Sequence, residues 1–464
     1  MKSNLNWLLR TVVLIAVAQA PWAKSQITLI AKGTLTGSSA GANADLSGLT
    51  GTLENGVQAN LLGGLGSAIA YVSTDRFIAV PDRGPNAVSY NASIDDTASY
   101  INRFHTIKMN LQANSSGSGL PFTIAPTLEK TTLLSSPTAL VYGSGGGLGV
   151  GSGAPAVNYV GQYYFTGRSD NFDPAQNSGN GANGRLDPEG LRLSNDGLSV
   201  FISDEYGPYV YQFNRIKGTR TKVFTLPSKY FVSYLSPMGA VEIASNTSGR
   251  TANKGLEGLA ITPDGKTLAT IIQAPFIQDA NQGGAAASLL RILTIDIASG
   301  TTHEYAYGLT TGSGVSELLA LNNHEFIVDE RDGKGLGDGS KAKIKQLFKI
   351  DLAGATDVSA MDGLTAATHE VSKTLFLDLV SVLTANGYTT STIPAKIEGI
   401  AFGPDVTLGG VTTHTLWVAN DNDFLQDYGG VTNSNPNQFL VFGFKDSDLG
   451  GSVFVPQART GYLN

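Results

Sequence analysis

One unit recurs along this 464-residue chain, and the repetition constrains the fold more than any single motif does. Four copies occupy residues 187–204, 256–273, 317–329 and 398–420, opening near Glu189, Glu257, Glu317 and Glu398. A degenerate fifth copy at 66–82 has Ser67 in place of the glutamate. Each copy reads as a strand starting at the glutamate, a tight turn, and a second strand closing on a polar residue. Asn195-Asp196-Gly197 and Pro263-Asp264-Gly265 carry the turn chemistry, a local side-chain acceptor followed by a residue that accepts positive φ. Two further strand-like stretches follow each of the first three full copies, at 209–213 and 222–226, 289–297 and 302–307, and 346–352 and 374–377. Four antiparallel strands per unit predict an all-β chain folded as a β-propeller. A β-helix would repeat about every twenty residues, and a sandwich gives no reason for a glutamate at each strand start. Five units are visible, so five or six blades are expected, a sixth having room in 27–62 or 137–183. Alternatively, 27–35 completes the last blade beside 439–444 and joins the chain ends without a disulfide.

Composition agrees with many short strands and turns: 56 glycines, 15% charged residues and 41% apolar residues exclude a charged coiled coil. A net charge of -7 argues against nucleic acid and anionic membrane as partners. The absence of cysteine removes thiolate catalysis, Cys-held metals, disulfides and a lipoprotein anchor. Lys2 and Arg10 precede an apolar run at 11–18, the pattern of a secretory signal. Residues 1–25 are therefore expected to be removed and 26–464 to form the propeller, although Ala18 and Ala20 also suit a cleavage site and an uncleaved anchor is the alternative. An exported protein follows, periplasmic or extracellular, with no later membrane-spanning stretch and with a monomer favoured.

In a propeller the innermost strands line a central channel, so equivalent residues form a ring. Glu189, Glu257, Glu317 and Glu398 would then converge, and like charges that close need protons or a cation. Hard oxygen ligands favour Ca²⁺, with Mg²⁺ as the alternative. The competing role is structural, each glutamate bonding backbone amides of the next blade. The second strands end at Asp82, Asp204, Gln273, Asp329 and Asn420, and charge follows directly in Arg83, Glu205, Glu330, Arg331 and Asp421. Asp329 and Asn420 join the candidate metal ligands, Asp204 or Glu205 is the candidate general base, and Arg83, Arg331 and Arg168 are the candidate anion clamps, Arg192 and Arg291 being further guanidinium groups available. The glycine-rich runs 143–153 and 177–184 are candidate lids or plain surface excursions.

Other signatures are weaker. The 329–338 segment has the acids and glycines of a calcium loop without the spacing of an EF-hand. Gly37-Ser-Ser39-Ala-Gly41 fits a nucleophile elbow in letters only, since no helix pattern follows it. No histidine has a second histidine four residues on, which excludes zincin chemistry, and no P-loop or dinucleotide fingerprint occurs.

Taken together, Asp204-Glu-Tyr-Gly-Pro208 with Glu189-Gly-Leu191, Gly255-Leu-Glu-Gly-Leu-Ala-Ile-Thr-Pro-Asp-Gly265, Val328-Asp-Glu-Arg-Asp-Gly333, Lys396-Ile-Glu-Gly-Ile-Ala-Phe402 and Asp82-Arg-Gly-Pro-Asn86 resemble the phytase-like domain family, described as having esterase-like activity. The resemblance covers nearly all of the chain after its leader. It implies an exported propeller hydrolysing phosphoesters or carboxylic esters, with a small anionic ester as substrate. The Glu-Gly strand starts are also similar to those of calcium-dependent lactonase propellers, where such a glutamate is a metal ligand; Glu189, Glu257 and Glu398 match, and Ser67 departs. A cation-dependent phosphoester hydrolase is the expectation, against a lactonase or carboxylesterase and against a propeller that binds a ligand or partner without catalysis.

Overall fold

The computed structural model describes residues 27–37, 44–85, 91–95 and 97–461; the predicted signal segment and Ser39 lie outside them. Five four-stranded antiparallel blades account for the repeats. Blade one comprises Ala68–Ser73, Arg76–Val80, Arg103–Lys108 and Thr127–Leu133. Blade two runs through Pro188–Leu193, Ser199–Asp204, Tyr209–Asn214 and Arg220–Phe224. Blade three is built from Leu256–Ile261, Thr267–Ile272, Leu289–Asp296 and Thr302–Gly308. Blade four follows with Gly314–Ala320, Glu325–Arg331, Lys345–Asp351 and Lys373–Asp378. Blade five takes Lys396–Phe402, Val411–Asp421 and Asn437–Phe444 from the C-terminal part of the chain and Thr28–Leu35 from the start. The pairing runs from Thr28 opposite Gly443 to Leu35 opposite Asn437, so the ring closes through backbone hydrogen bonds and needs no disulfide.

The count is five, not six. Residues 27–35 supply the closing strand, and the 137–183 region holds only one two-residue strand, Tyr163–Tyr164, paired with Ser135–Ser136. The glycine runs are tied down. Gly153 N–H donates to the Gly143 carbonyl at 2.7 Å, and Tyr209 Oη donates to the Ser178 and Asn180 carbonyls at 2.5 and 2.7 Å.

Apolar side chains fill the spaces between blades. Val210, Leu259, Leu293 and Leu318 belong to a cluster spanning blades two to four, while Phe77 of blade one meets Trp417 of blade five with ring centroids 4.5 Å apart. Burying such large side chains contributes about 1.5–3 kcal/mol each, so the ring is held mainly by its interblade contacts. Around the axis the inner strands approach so closely that the glycine after the glutamate has a packing reason. A Cβ on Gly258 would stand 2.4 Å from the Leu318 nitrogen, and one on Gly190 would stand 2.5 Å from the Leu259 Cβ.

The two ends of the channel differ. Inner-strand starts and second-strand ends share one face, as the pairing of Pro188 with Asp204 and of Ile397 with Asn420 requires. Hairpin turns occupy the other, where Gly197 and Gly265 adopt φ of 71° and 73°. The C-terminal segment crosses this turn face. Val455 N–H donates to Leu321 O, Ala458 N–H to Pro263 O and Arg459 Nη2 to Tyr71 O, at 2.9, 2.9 and 2.6 Å.

Candidate functional site

β-Bulges aim the ring. In blades two, three and five the register of the inner strand slips at Glu189-Gly190, at Glu257 and at Glu398-Gly399, so each glutamate sits in the irregularity. A bulged residue is released from the ladder and its side chain is re-aimed, here to the channel mouth. In blade four the slip falls one residue earlier, between Val315 and Glu317, and Glu317 pairs regularly with Asp329. The equivalent of the other glutamates is therefore Ser316. This corrects the sequence register, in which Glu317 joined the ring. Ser67 and Ser316, each buried at a ring position, carry hydroxyls without a hydrogen-bond partner among the described residues, whereas Glu317 stands where blades two, three and five have glycine.

Glu317 takes the structural role. Its Oε1 accepts the Leu259 and Leu318 N–H groups at 2.9 and 3.0 Å, and its Oε2 lies 3.0 Å from Arg192 Nη2. Arg192 crosses the axis: Nη1 donates to the Ile69 and Leu191 carbonyls at 3.0 and 2.7 Å, and Nη2 to Leu318 O at 2.8 Å. It plugs the channel and is no anion clamp.

The second-strand exits follow the same logic. Side chains alternate along a strand, so only every other residue faces the axis. Asp82, Glu205, Gln273, Arg331 and Asp421 form the inward set at the mouth, Gln273 Nε2 reaching Glu257 Oε1 at 2.7 Å and Arg331 Nη2 bonding Glu398. Asp204 is one residue out of phase. Its two oxygens accept the Asp187 and Gly207 N–H groups, both at 2.7 Å, which staples the turn that presents Glu205. Asn420 likewise turns to its own blade, accepting the Gln438 N–H at 2.6 Å. Asp329 is buried, and both of its oxygens lack a donor among the described residues. The rest of the 329–338 segment is self-contained, Asp332 pairing with Lys345 at 2.8 Å and Asp338 accepting from Gly335 and Ser340.

Of the guanidinium groups, Arg331 and Arg83 reach the mouth. Arg83 Nη1 lies 2.8 Å from Asp187 Oδ2, and its N–H donates to Asp187 Oδ1 at 2.9 Å. Arg168 is fully buried, bound to Asp170 at 2.5 and 3.0 Å and to the Gly151 carbonyl at 2.5 Å, so it anchors the 143–153 run. Arg291 is held by Asp279 and Glu304 in blade three.

Sequence reasoning missed Asp187, Lys396 and Asp423. Asp187, Glu189 and Glu205 bring carboxylate oxygens within 4.8 Å of one another, as do Asp82, Asp421 and Asp423. Lys396 already neutralises the second group, 3.0 Å from Asp421 and bonded to Asp423. No repeat signals these residues, because a single copy carries each of them.

Burial drives the electrostatics. Glu189 and Glu257 are pushed well above the usual carboxylate range, first by loss of water and then by neighbouring carboxylates, Glu257 lying within hydrogen-bonding reach of Glu205. Burial also raises Glu205 and Asp329, and lifts Glu398 to about 7 despite the adjacent Arg331. Among the described residues, one oxygen each of Glu257 and Glu205 lacks a partner, with both oxygens of Asp329. Such a set suits a cation, which would satisfy the orphaned oxygens and the repulsion together.

A pH dependence follows. Carboxyls whose folded pKa is raised bind more protons folded than unfolded, so without a cation their contribution to stability is complete below the ordinary value near 4.5 and is lost as pH rises through about 7 for Glu398. Melting temperatures in chelator should fall across that window. A profile that is flat or rises there would contradict it.

A curated relative, an uncharacterized secreted protein of Arthroderma benhamiae (strain ATCC MYA-4681 / CBS 112371), is 33% identical over 187 residues, covering 33% of this chain and 36% of that protein. The chain thus spans little more than a third of that relative's length. Among solved structures, a PQQ-bound aldose sugar dehydrogenase from Streptomyces coelicolor aligns at 13% identity over 92% of this chain and 100% of its own, with a TM-score of 0.31. A luciferin-regenerating enzyme aligns at 9% identity over 86% of this chain and 97% of its own, with a TM-score of 0.30. Scores this low carry no argument about function. Among the described residues no helix is long and apolar enough to cross a membrane. A family model described as "esterase-like activity of phytase" matches residues 60–424, which contain the four inner strands that start at the mouth in blades one to four, that of blade five, and every ring residue from Ser67 to Glu398; the chain belongs to this phytase-like family.

Proposed function

We propose that this protein is an exported, cation-dependent ester hydrolase acting on small anionic esters, phosphoesters first, at the carboxylate mouth of the propeller. One observation carries the reading: among the described residues, buried carboxylate oxygens of Glu205, Glu257 and Asp329 lack hydrogen-bond donors on the face where Arg83 and Arg331 stand, and the Glu205 carboxylate lies within 4.8 Å of those of Asp187 and Glu189. Glu189, Glu257 and Glu398, with Asp329, would hold the ion, leaving Glu205 beside it as the base. An irregular all-oxygen set favours Ca²⁺ over Mg²⁺, which demands near-octahedral geometry. A bound cation supplies charge neutralisation and a more acidic water.

The chain's own groups do the rest. Arg331 and Arg83, each with an Nε lacking an acceptor among the described residues, orient the anionic ester. Glu205 is the better general base, since Asp204 is occupied by backbone amides. As the water oxygen bonds to the ester phosphorus, Glu205 accepts the water's proton, the bond from phosphorus to the leaving alkoxide breaks, and the alkoxide departs as the alcohol with the proton that Glu205 returns. Export is supported by the N-terminal charge and apolar pattern and by a relative named as secreted.

Phosphate monoesters, diesters, aryl esters and lactones, each assayed with Ca²⁺ and with chelator, test the reading. Chelator-sensitive phosphoester hydrolysis is expected. Full activity in chelator overturns the cation, turnover of lactones or aryl esters alone moves the substrate class, and silence throughout favours a binding propeller.

A further inference from the structure

Arg83 also lines a second pocket, of about 230 Å³, together with Arg185 and Arg250 and the carboxylates of Asp95 and Glu242. Arg185 is 2% exposed, and its guanidinium carbon lies 4.8 Å from the ring centroids of both Phe172 and Tyr206. Nη1 donates to the Ser169 carbonyl at 3.1 Å, but Nε and Nη2 find no hydrogen-bond acceptor among the described residues. The nearby Glu242 is 3.9 Å from Nη2 and is engaged instead by Arg250 and by the Ser236 N–H. Asp95, also at the pocket, bonds the Gly239 N–H. Arg83 is matched by Asp187 and Arg250 by Glu242, so among the described residues Arg185 is the pocket cation left without a carboxylate at hydrogen-bonding distance.

Two adjacent buried N–H groups on one planar guanidinium form a fork suited to two oxygens of one anion. Stacking between rings fixes that fork before anything binds. The pocket is also coupled to the mouth, because the Tyr206 carbonyl accepts Arg250 Nε and Nη2 at 2.8 and 2.6 Å while Tyr206 follows Glu205 directly. We propose that this pocket binds a tetrahedral oxyanion, a phosphate or sulfate group, on Arg185 Nε and Nη2, with Arg83 standing between it and the carboxylate mouth. Its volume is below the roughly 300–1,000 Å³ of drug-sized sites, so it takes a compact headgroup. Binding is independent of the hydrolase reading; only its use as a second anchor for a substrate carrying more than one anionic group rests on that reading.

The test is calorimetric titration of the full mature protein with inorganic phosphate, sulfate and acetate, all in chelator so that no mouth cation contributes. Phosphate or sulfate should bind saturably to the wild type and at least about tenfold more weakly to Arg185→Gln. Absence of saturable binding at millimolar anion, an unchanged affinity in Arg185→Gln, or binding of acetate alone would overturn the assignment. Should Arg185→Gln not fold, selenate soaked into wild-type crystals gives the answer without a variant: anomalous density beside Arg185 is expected, and density only elsewhere refutes it. Anion binding that persists while the ester panel is silent leaves this pocket standing and removes the hydrolase.

Discussion

Glu257→Gln should move stability in opposite directions with and without a cation. In chelator at neutral pH the variant should melt higher than the wild type. The substitution removes one charge from a buried set in which Glu257 faces Glu205 and Glu398, and its amide can donate to Glu205, where the wild type needs a proton. With Ca²⁺ the order should reverse. An ion that binds only the folded state stabilises it by about 2.7 kcal/mol at a hundred times its Kd, and loss of a charged ligand weakens that binding. Ester turnover should fall on the order of 10²-fold or more, the scale for removing one group that stabilises developing charge. Melting curves of both proteins with Ca²⁺ and with chelator check this. Equal Ca²⁺-induced shifts would remove Glu257 from the ion's ligands, and no shift in either would remove the ion.

The architecture was legible because it is periodic. Strand starts, turns and the closing strand at 27–35 are each repeated or placed by a pattern that survives sequence divergence, and the inferred strands fall within a few residues of the observed ones. The ring was legible to within one residue, and that one residue mattered. Aligning Glu317 with Glu189, Glu257 and Glu398 maximises identity, yet Leu318 follows Glu317 where glycine follows the other three. That difference was the available signal. A slip of one position in a strand exchanges the two faces, which turns Glu317 toward the backbone of blade three and leaves Ser316 at the mouth. The same parity separates Glu205 from Asp204, and Arg331 from Glu330, whose carboxylate bonds Lys373 at 2.5 Å. Arginines are harder still. Arg83, Arg168 and Arg192 look alike in sequence, and only the fold shows one at the mouth, one under a loop and one across the axis.

That axial arginine should carry a large share of stability for a single charged residue. Arg192→Met is expected to cost about 3–5 kcal/mol, the scale for breaking a buried ion pair from one side. Arg192 is 3% exposed and Glu317 is fully buried. Methionine fills much of the volume but donates nothing, so Glu317 loses its cation and the carbonyls of Ile69, Leu191 and Leu318, drawn from blades one, two and four, lose a shared donor. Glu317 is already pushed up to about 7 by burial against the pull of Arg192, so without the arginine it should hold its proton to higher pH, and the variant's deficit should be smallest in acid. Adding Glu317→Gln should recover part of the loss. The amide oxygen can still accept the Leu259 and Leu318 N–H groups, and the uncompensated charge is gone. Urea unfolding of both single variants and the double, at acidic and neutral pH, supplies the cycle. A cost for Arg192→Met below about 1 kcal/mol, or one that Glu317→Gln leaves untouched, would show that the ring is held by its interblade apolar contacts alone and that the axial pair only fills space.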